Sequence, residues 1–324
     1  MRALVVSNML PDAAHPERGS FVRDQVAALR SIDGLQVELF EFPPGPRSLA
    51  RASLRGRTRD ARGRYDVVHA HFGLSAWPAL RWRARVRALT VHGTDLLHPR
   101  TRLATAAALP LLDLIAAVSA PLVAELPCAS ARRRAQVLPC GVDVQRFRPL
   151  PREQTRAHLG LDPRGAYVLF PADPARAEKR YDRAQALCAP TSARLLTLGG
   201  VPPQRVPLWI NAANAVVIPS EREGFGLAAL EALACEVPVL ATPVGIHPQA
   251  LDGLEGSLCA PFELARWRAA LEPHLGTGAS ALTDEGPAQP QRPHEARARA
   301  ERFSTARMAE RVADAWRAAL ERSH

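Results

Sequence analysis

The chain has 324 residues, 47% of them hydrophobic, and a formal net charge of +10. That length is more than one domain usually needs and predicts two. No run of 18 or more apolar residues occurs, which argues against a helical membrane span. Five scattered cysteines, none in a C-x-x-C pair, argue against a disulfide frame or a zinc site and suit a reduced cytosol.

The first apolar run, Met1-Arg2-Ala3-Leu4-Val5-Val6, is too short for a secretory leader and reads as a buried strand. Ala3–Val6, Val37–Phe40, Val67–Ala70, Ala88–Val91, Leu114–Val118 and Gln136–Leu138 are predicted strands. Helical patterns lie between several of them. Phe21 to Arg30 puts Phe21, Val22, Val26 and Leu29 on one face, and Pro121 to Leu126 is a second such segment. A linker is expected at Phe147-Arg148-Pro149-Leu150-Pro151, followed by a turn at Leu161-Asp162-Pro163-Arg164-Gly165. The second half repeats the style, with strands at Val168–Pro171, Arg194–Leu198, Val216–Pro219 and Val239–Ala241 and helices near 180–188, 206–213 and 227–235. An irregular stretch, Pro273 to Pro293, precedes a helical segment from His294 to Leu320 that offers Phe303, Met308, Val312, Trp316 and Leu320 for packing. Apolar strands alternating with helices mean parallel sheets covered on both faces. The expected architecture is α/β: two doubly wound domains, residues 1–148 and 149–293, facing a cleft, then a C-terminal helix, 294–324, packing back on the first. Ligands of such sheets bind beyond the carboxyl ends of the strands.

Charge is unevenly placed. Residues 1–150 carry 22 basic and 12 acidic side chains, a net of +10, and residues 151–324 carry 20 of each, a net of zero. Arginines 47, 51, 55, 57, 59, 62 and 64 form a dense run opposed by Asp60 alone. It reads either as a surface for an anionic acceptor or phospholipid headgroups, or as a solvated arginine-rich loop. Tyr65 is its one aromatic neighbour, so no nucleic-acid partner is expected. Lys179 is the single lysine of the chain. A compact ammonium kept among arginines suits a point contact with phosphate, although chance survival would leave the same trace.

The most informative segment is Val216-Val-Ile-Pro-Ser-Glu221-Arg-Glu223-Gly-Phe-Gly226-Leu-Ala-Ala-Leu-Glu231-Ala-Leu-Ala-Cys-Glu236-Val-Pro-Val-Leu-Ala241. A strand ends, a polar loop leads to two glycines, and a helix begins. Glycines let backbone amides approach a ligand, and a helix start offers free N–H groups. Glu231 follows Leu227 by four residues and precedes Ala234 by three, so it shares an apolar face and needs partners. Two ribose hydroxyls would satisfy it; a solvent-facing glutamate is the plain alternative. Glu223 sits in the loop, within reach of a ligand over the helix start.

Glu223 and Glu231, spaced around Gly-Phe-Gly-Leu-Ala-Ala-Leu, resemble the E-x7-E signature of the retaining GT-B glycosyltransferases, the group that includes sucrose synthases and bacterial mannosyltransferases. Arg18-Gly19-Ser20-Phe21-Val22 resembles that family's glycine loop, and Thr90-Val-His92-Gly-Thr-Asp95 its strand-end histidine motif. Ala117-Val-Ser119 and Val137-Leu-Pro-Cys-Gly141-Val-Asp143, with Phe147 and Pro149, resemble further segments. Ala175-Arg176-Ala-Glu178-Lys179-Arg180 resembles the E-K-G phosphate clamp. The resemblance implies metal-independent, retaining transfer of a hexose from a nucleotide sugar, with no cofactor and no metal ligands. It gives Glu231 the ribose. Glu223 and the backbone of Gly224, Phe225, Gly226 and Leu227 take the donor sugar. Lys179 and Arg176 take the diphosphate, Gly19 a close approach to it, and His92 a place near the sugar. Catalytic roles are thereby implied for His92, Lys179 and Glu223. For Gly19 a plain loop glycine, and for His92 a capping or core histidine, are the alternatives.

The chain departs from the pattern in places. Ala172-Asp173-Pro174 stands where Gly-Arg is usual, and Gly245-Ile-His247-Pro-Gln249 replaces Gly-Gly-x-Pro-Glu. The Lys179 to Glu223 segment is short, which predicts a reduced second domain and base pocket. No Asp-x-Asp occurs, so protein cations would stabilise the leaving diphosphate. Three rivals remain from sequence. Gly224-Phe-Gly226-Leu-Ala-Ala229 fits a dinucleotide fingerprint, but the strand after it ends without an acidic residue for a ribose. The others are a sugar-nucleotide epimerase on the same fold and a non-catalytic binding subunit. A cytoplasmic location, with the inner membrane face as a docking place, completes the expectations.

Overall fold

The structure, a computed structural model, describes residues 1–58, 65–276 and 293–323. Arg59, Arg62 and Arg64, the side chain of Arg57, and most of the irregular stretch after Pro273 lie outside the described residues. The chain divides into two units, Met1–Gly141 with Thr305–His324, and Val142–Ser304.

The first unit holds a six-stranded sheet of order β2-β1-β3-β4-β5-β6. Its strands are β1 (Arg2–Ser7), β2 (Gln36–Glu41), β3 (Tyr65–His71), β4 (Ala84–Val91), β5 (Leu114–Ala117) and β6 (Gln136–Val137). Every pairing is parallel. The run Ala3-Leu4-Val5-Val6 is fully buried, as a central parallel strand covered on both faces must be. The helix Ser20–Arg30 buries Val22, Gln25, Val26 and Leu29 against the sheet, and Thr305–Arg322 packs beside it through Met308, Val312 and Trp316.

The second unit holds a five-stranded sheet of order β11-β10-β9-β7-β8. These strands are β7 (Tyr167–Phe170), β8 (Arg194–Thr197), β9 (Ala215–Ile218), β10 (Val239–Ala241) and β11 (Leu258–Cys259), again all parallel. In each unit the first strand in sequence has its second and third strands on opposite sides. The connections therefore diverge there, and side chains beyond the carboxyl ends of those strands converge on one opening.

Three expectations change. The division falls between Gly141 and Val142, seven residues before the expected one. Val142 N–H donates to Phe303 O (2.8 Å) and Val142 bridges Ser304, so the chain leaves and re-enters the second unit side by side. The C-terminal helix is two helices: Pro293–Glu301 belongs to the second unit and Thr305–Arg322 to the first. Arg297 anchors the shorter helix. Its guanidinium donates to the carbonyls of Val144, Phe147 and Ala234, tying the shorter helix to its own unit. Finally, the stretch between the expected linker and the expected turn, for which the sequence predicted no element, is a helix, Arg152–His158. Arg156 is buried there, donating to Ala212 O (2.8 Å), Pro163 O (2.9 Å) and Asn214 Oδ1 (2.7 Å).

Candidate active site

In the second unit, the loops after β7 and β9 flank the point of divergence, and they carry Lys179 and Glu223. The two meet. Lys179 Nζ donates to Glu223 Oε2 at 2.6 Å, with side chains 13% and 9% exposed. Ser220 Oγ donates to the other oxygen, Glu223 Oε1, at 2.8 Å. The loops are also joined through the backbone, Glu221 N–H to Glu178 O (2.9 Å), and through the Arg180–Glu221 ion pair.

The helix after the second loop runs Leu227–Ala234 and starts from Gly226 in the left-handed region, φ 95°. A Cβ at Gly226 would stand 2.7 Å from His247 Nε2, so only glycine fits. His247 is fully buried. Its Nδ1 donates to Thr242 O (2.9 Å), while Nε2 has no hydrogen-bond partner. Burial holds its pKa below the usual imidazole value, against an opposing pull from Glu223.

Five of the eight residues of this helix are buried; Leu227, Ala228 and Glu231 alone are half-exposed and form one strip. Glu231 thus lies on the open side of an otherwise enclosed helix. Gly224 is half-exposed, whereas Phe225 is buried with its ring near Phe303, so Phe225 can serve a ligand only through its backbone. Arg176 is not gathered to the Lys179–Glu223 pair. It lies exposed with its guanidinium on Glu178 (2.7 Å). Arg180, where the E-K-G pattern has glycine, adopts φ 58° and is held by Asp182 and Glu221. That backbone conformation is unfavourable for a non-glycine residue.

Gly19 and His92 belong to the first unit. Gly19 caps the helix Ser20–Arg30 at φ 69°, and a Cβ there would meet Met9 O at 2.4 Å. Close approach to the loop after β1 is reason enough for that glycine. Two residues on, the Phe21 ring packs 4.9 Å from the His92 ring. His92 follows β4 and is half-buried. Asp95 accepts the backbone N–H groups of His92 (3.1 Å), Gly93 (2.8 Å) and Gly73 (3.1 Å). Burial, with the nearby His71 and His69, holds the His92 pKa well below its ordinary value.

Sequence reasoning missed Ser220, His247, Arg180, and the histidines behind His92. Among the described residues, no group of three or more His, Cys, Asp or Glu is arranged to hold a metal ion, and no helix is long and apolar enough to cross a membrane.

Two doubly wound parallel-sheet units, the second with a cation and a carboxylate beside a glycine-led helix, define the GT-B class of glycosyltransferases. Comparison with known proteins agrees. The model for glycosyl transferases group 1 matches residues 176–273, and that for glycosyltransferase family 4 matches residues 5–146. The D-inositol 3-phosphate glycosyltransferase of Actinosynnema mirum is 32% identical, over 82% of this chain and 76% of the relative. Among solved structures, sucrose-phosphate synthase from Thermosynechococcus elongatus superposes with a TM-score of 0.70 at 19% identity, covering 98% of each chain. Anabaena HepE in complex with UDP superposes at 0.63 and 17% identity, over 97% of this chain and 99% of that one. The chain belongs to the group 1 glycosyltransferases, and it is a hexosyltransferase that uses a nucleotide-sugar donor.

Proposed function

We propose that the enzyme transfers the hexose with retention and without a metal ion, to an anionic acceptor recognised by the arginine-rich first unit. The Lys179–Glu223 ion pair at the carboxyl ends of β7 and β9 carries this reading. On donor entry the diphosphate replaces the Glu223 carboxylate on Lys179, and Glu223 turns to the sugar hydroxyls. Glu231 accepts the ribose hydroxyls, and the backbone of Gly224 to Leu227 lies along the sugar. The bond from the anomeric carbon to the diphosphate oxygen breaks with its electron pair, and Lys179 stabilises the charge that develops. The acceptor oxygen bonds to the same face of that carbon, and its proton passes to the departing diphosphate. No enzymic nucleophile is needed. The A. mirum relative is named for D-inositol 3-phosphate, which supports a phosphorylated polyol as acceptor.

The test is a panel of nucleotide sugars with inositol phosphates, with and without a chelator, following free nucleotide and the anomeric configuration of the product by NMR. Expected are an acceptor-dependent product of retained configuration and full activity in chelator. Inversion, or loss of activity restored by a divalent ion, overturns the mechanism. An isomerised nucleotide sugar would mark an epimerase, and no turnover a binding subunit. A Glu231→Ala variant of undiminished donor affinity would remove the ribose role.

A second reading places the acceptor at a lipid surface. Among the described residues, the large apolar side chains that stay exposed, Leu54, Trp77, Leu97, Leu103, Leu111 and Val137, all lie in the unit that carries the excess charge. Arg47, Arg51 and Arg55 are exposed on the helix Pro46–Thr58 that bears Leu54. Apolar side chains among arginines suit an anionic membrane face. Flotation with phosphatidylglycerol vesicles but not phosphatidylcholine vesicles, lost on charge reversal of Arg51 and Arg55, is the expected result; no flotation with either overturns it.

A further inference from the structure

His92 is the end of a buried file of polar groups. His69 and His71 lie two apart on β3 and so point to one face of the sheet. The helices Thr305–Arg322 and Ser20–Arg30 cover that face and supply Trp316 and Gln25. Trp316 Nε1–H donates to His69 Nδ1 at 3.0 Å. An indole nitrogen only donates, so neutral His69 carries its hydrogen on Nε2 and gives it to Thr90 Oγ1, 2.8 Å away. The His69 and His71 rings stack with centroids 4.9 Å apart.

The second branch leads outward. The Gln25 carboxamide nitrogen lies 3.4 Å from His71 Nε2, and His71 Nδ1 lies 2.9 Å from His92 Nε2. Gln25 is 6% exposed and His71 1%, so solvent does not substitute for either contact. An amide nitrogen donates, which makes His71 Nε2 the acceptor and puts the His71 hydrogen on Nδ1. His71 then donates to His92 Nε2, and neutral His92 keeps its own hydrogen on Nδ1. Desolvation supports one hydrogen per ring: burial lowers all three pKa values, that of His71 to about 3.

The surroundings fix the His92 ring as well as its hydrogen. Phe21 and Phe72 pack against it at 4.9 and 4.6 Å. Phe72 does so from φ 69°, ψ 140°, a backbone conformation that costs a non-glycine residue about 1–3 kcal/mol and persists only where the surroundings impose it. A core histidine satisfied for its own sake does not need such strain beside it.

We propose that Gln25 and His71 are positioning residues that lock His92 as a neutral Nδ1–H imidazole, making it a hydrogen-bond donor to an oxygen of the bound ligand rather than a base or a cation. This rests on the reading that His92 meets the donor sugar. Protein labelled with ¹⁵N-histidine tests the tautomer directly, without ligand. Long-range ¹H–¹⁵N correlation, with His92→Gln for assignment, should show His92 Nδ1 protonated and Nε2 bare. A protonated Nε2 in the wild type overturns the proposal, and needs no variant to do so. Gln25→Met keeps the length and removes the donor. It should give two His92 tautomers and lower kcat about fivefold to tenfold, with the donor KM within about twofold, as loss of one hydrogen bond would. An unchanged tautomer and kcat in that variant also overturn it. Failure of the reading that His92 meets the donor would show instead as a His92→Phe variant with unchanged kcat and donor KM, whatever the tautomer in the wild type.

Discussion

The Lys179–Glu223 pair makes a quantitative prediction that needs no substrate. Glu223→Gln keeps the side-chain shape and the contact with Ser220 but leaves the Lys179 ammonium, 13% exposed, without its counter-charge. Removing one partner of a fully buried pair costs about 3–5 kcal/mol. With 13% and 9% of these side chains still reached by water, about 2 kcal/mol is expected. For a unit of this size that lowers the melting temperature of the second unit's transition by roughly 4–8 °C. Lys179→Met alone should destabilise by a similar amount, and the double variant should recover most of the loss, because no charge is then stranded. The cycle by scanning calorimetry should give a coupling of about 1.5 kcal/mol or more. A nucleoside diphosphate supplies the anion that Glu223 provided, so at saturation it should raise the melting temperature more in Glu223→Gln than in the wild type. A coupling below about 0.5 kcal/mol would refute the claim that these groups hold one another.

Three further outcomes follow from single contacts. Gly226→Ala forces a Cβ to 2.7 Å from His247 Nε2 at φ 95°; a loss of about 1–3 kcal/mol and weakened donor binding are expected from urea unfolding and titration. Trp316→Phe leaves His69 Nδ1 without its donor, and the first unit should lose about 1–3 kcal/mol in the same assay. Acid should destabilise the first unit through His71: its folded pKa, about 3, is below the unfolded 6.5, so the unfolded chain binds the extra proton between those values. Stability is then full above pH 6.5 and falls through that window, by about 2 kcal/mol at pH 5, and denaturation curves at pH 7 and pH 5 should differ less in His71→Phe.

Ten of the eleven strands among the described residues were legible, mostly from short apolar runs, and Val239–Ala241 matches β10 residue for residue; β11, Leu258–Cys259, is two residues long and was not predicted. Elements held by distant partners were not. Arg-Glu-Gln-Thr-Arg-Ala-His gives no apolar period, and it becomes a helix because Arg156 finds Ala212 and Asn214, 56 and 58 residues away. The break at Arg302–Ser304 was not predicted either; Arg297, which ties the shorter helix to its own unit, does so through three carbonyls far away in the chain. In the site, Glu223 and Lys179 stood out as residue types, and their meeting follows from strand order, which sequence implied only as a class. His71 left a trace in Tyr-Asp-Val-Val-His-Ala-His, where two histidines share the period of a strand. Its contact with His92 depends on the register of β3 on β4, His71 opposite Thr90, which no local pattern states.

The surroundings of His92 and of Lys179 differ in charge, and this bears on where the proposed diphosphate is held. Behind His92 the first unit buries neutral imidazoles, and the conditions that keep them neutral oppose a proton on His92. A cation there would need a hydrogen on Nε2 as well, facing a His71 Nδ1 that already donates. The second unit pairs the Lys179 ammonium with the Glu223 carboxylate, the partner that the proposed donor diphosphate would replace. On the proposed reading, a departing diphosphate finds its counter-charge at Lys179, in the same unit as the dipole-positive start of the helix Leu227–Ala234. His92, if it meets the donor as proposed, is then suited to work a neutral donor can do, which is to orient an oxygen.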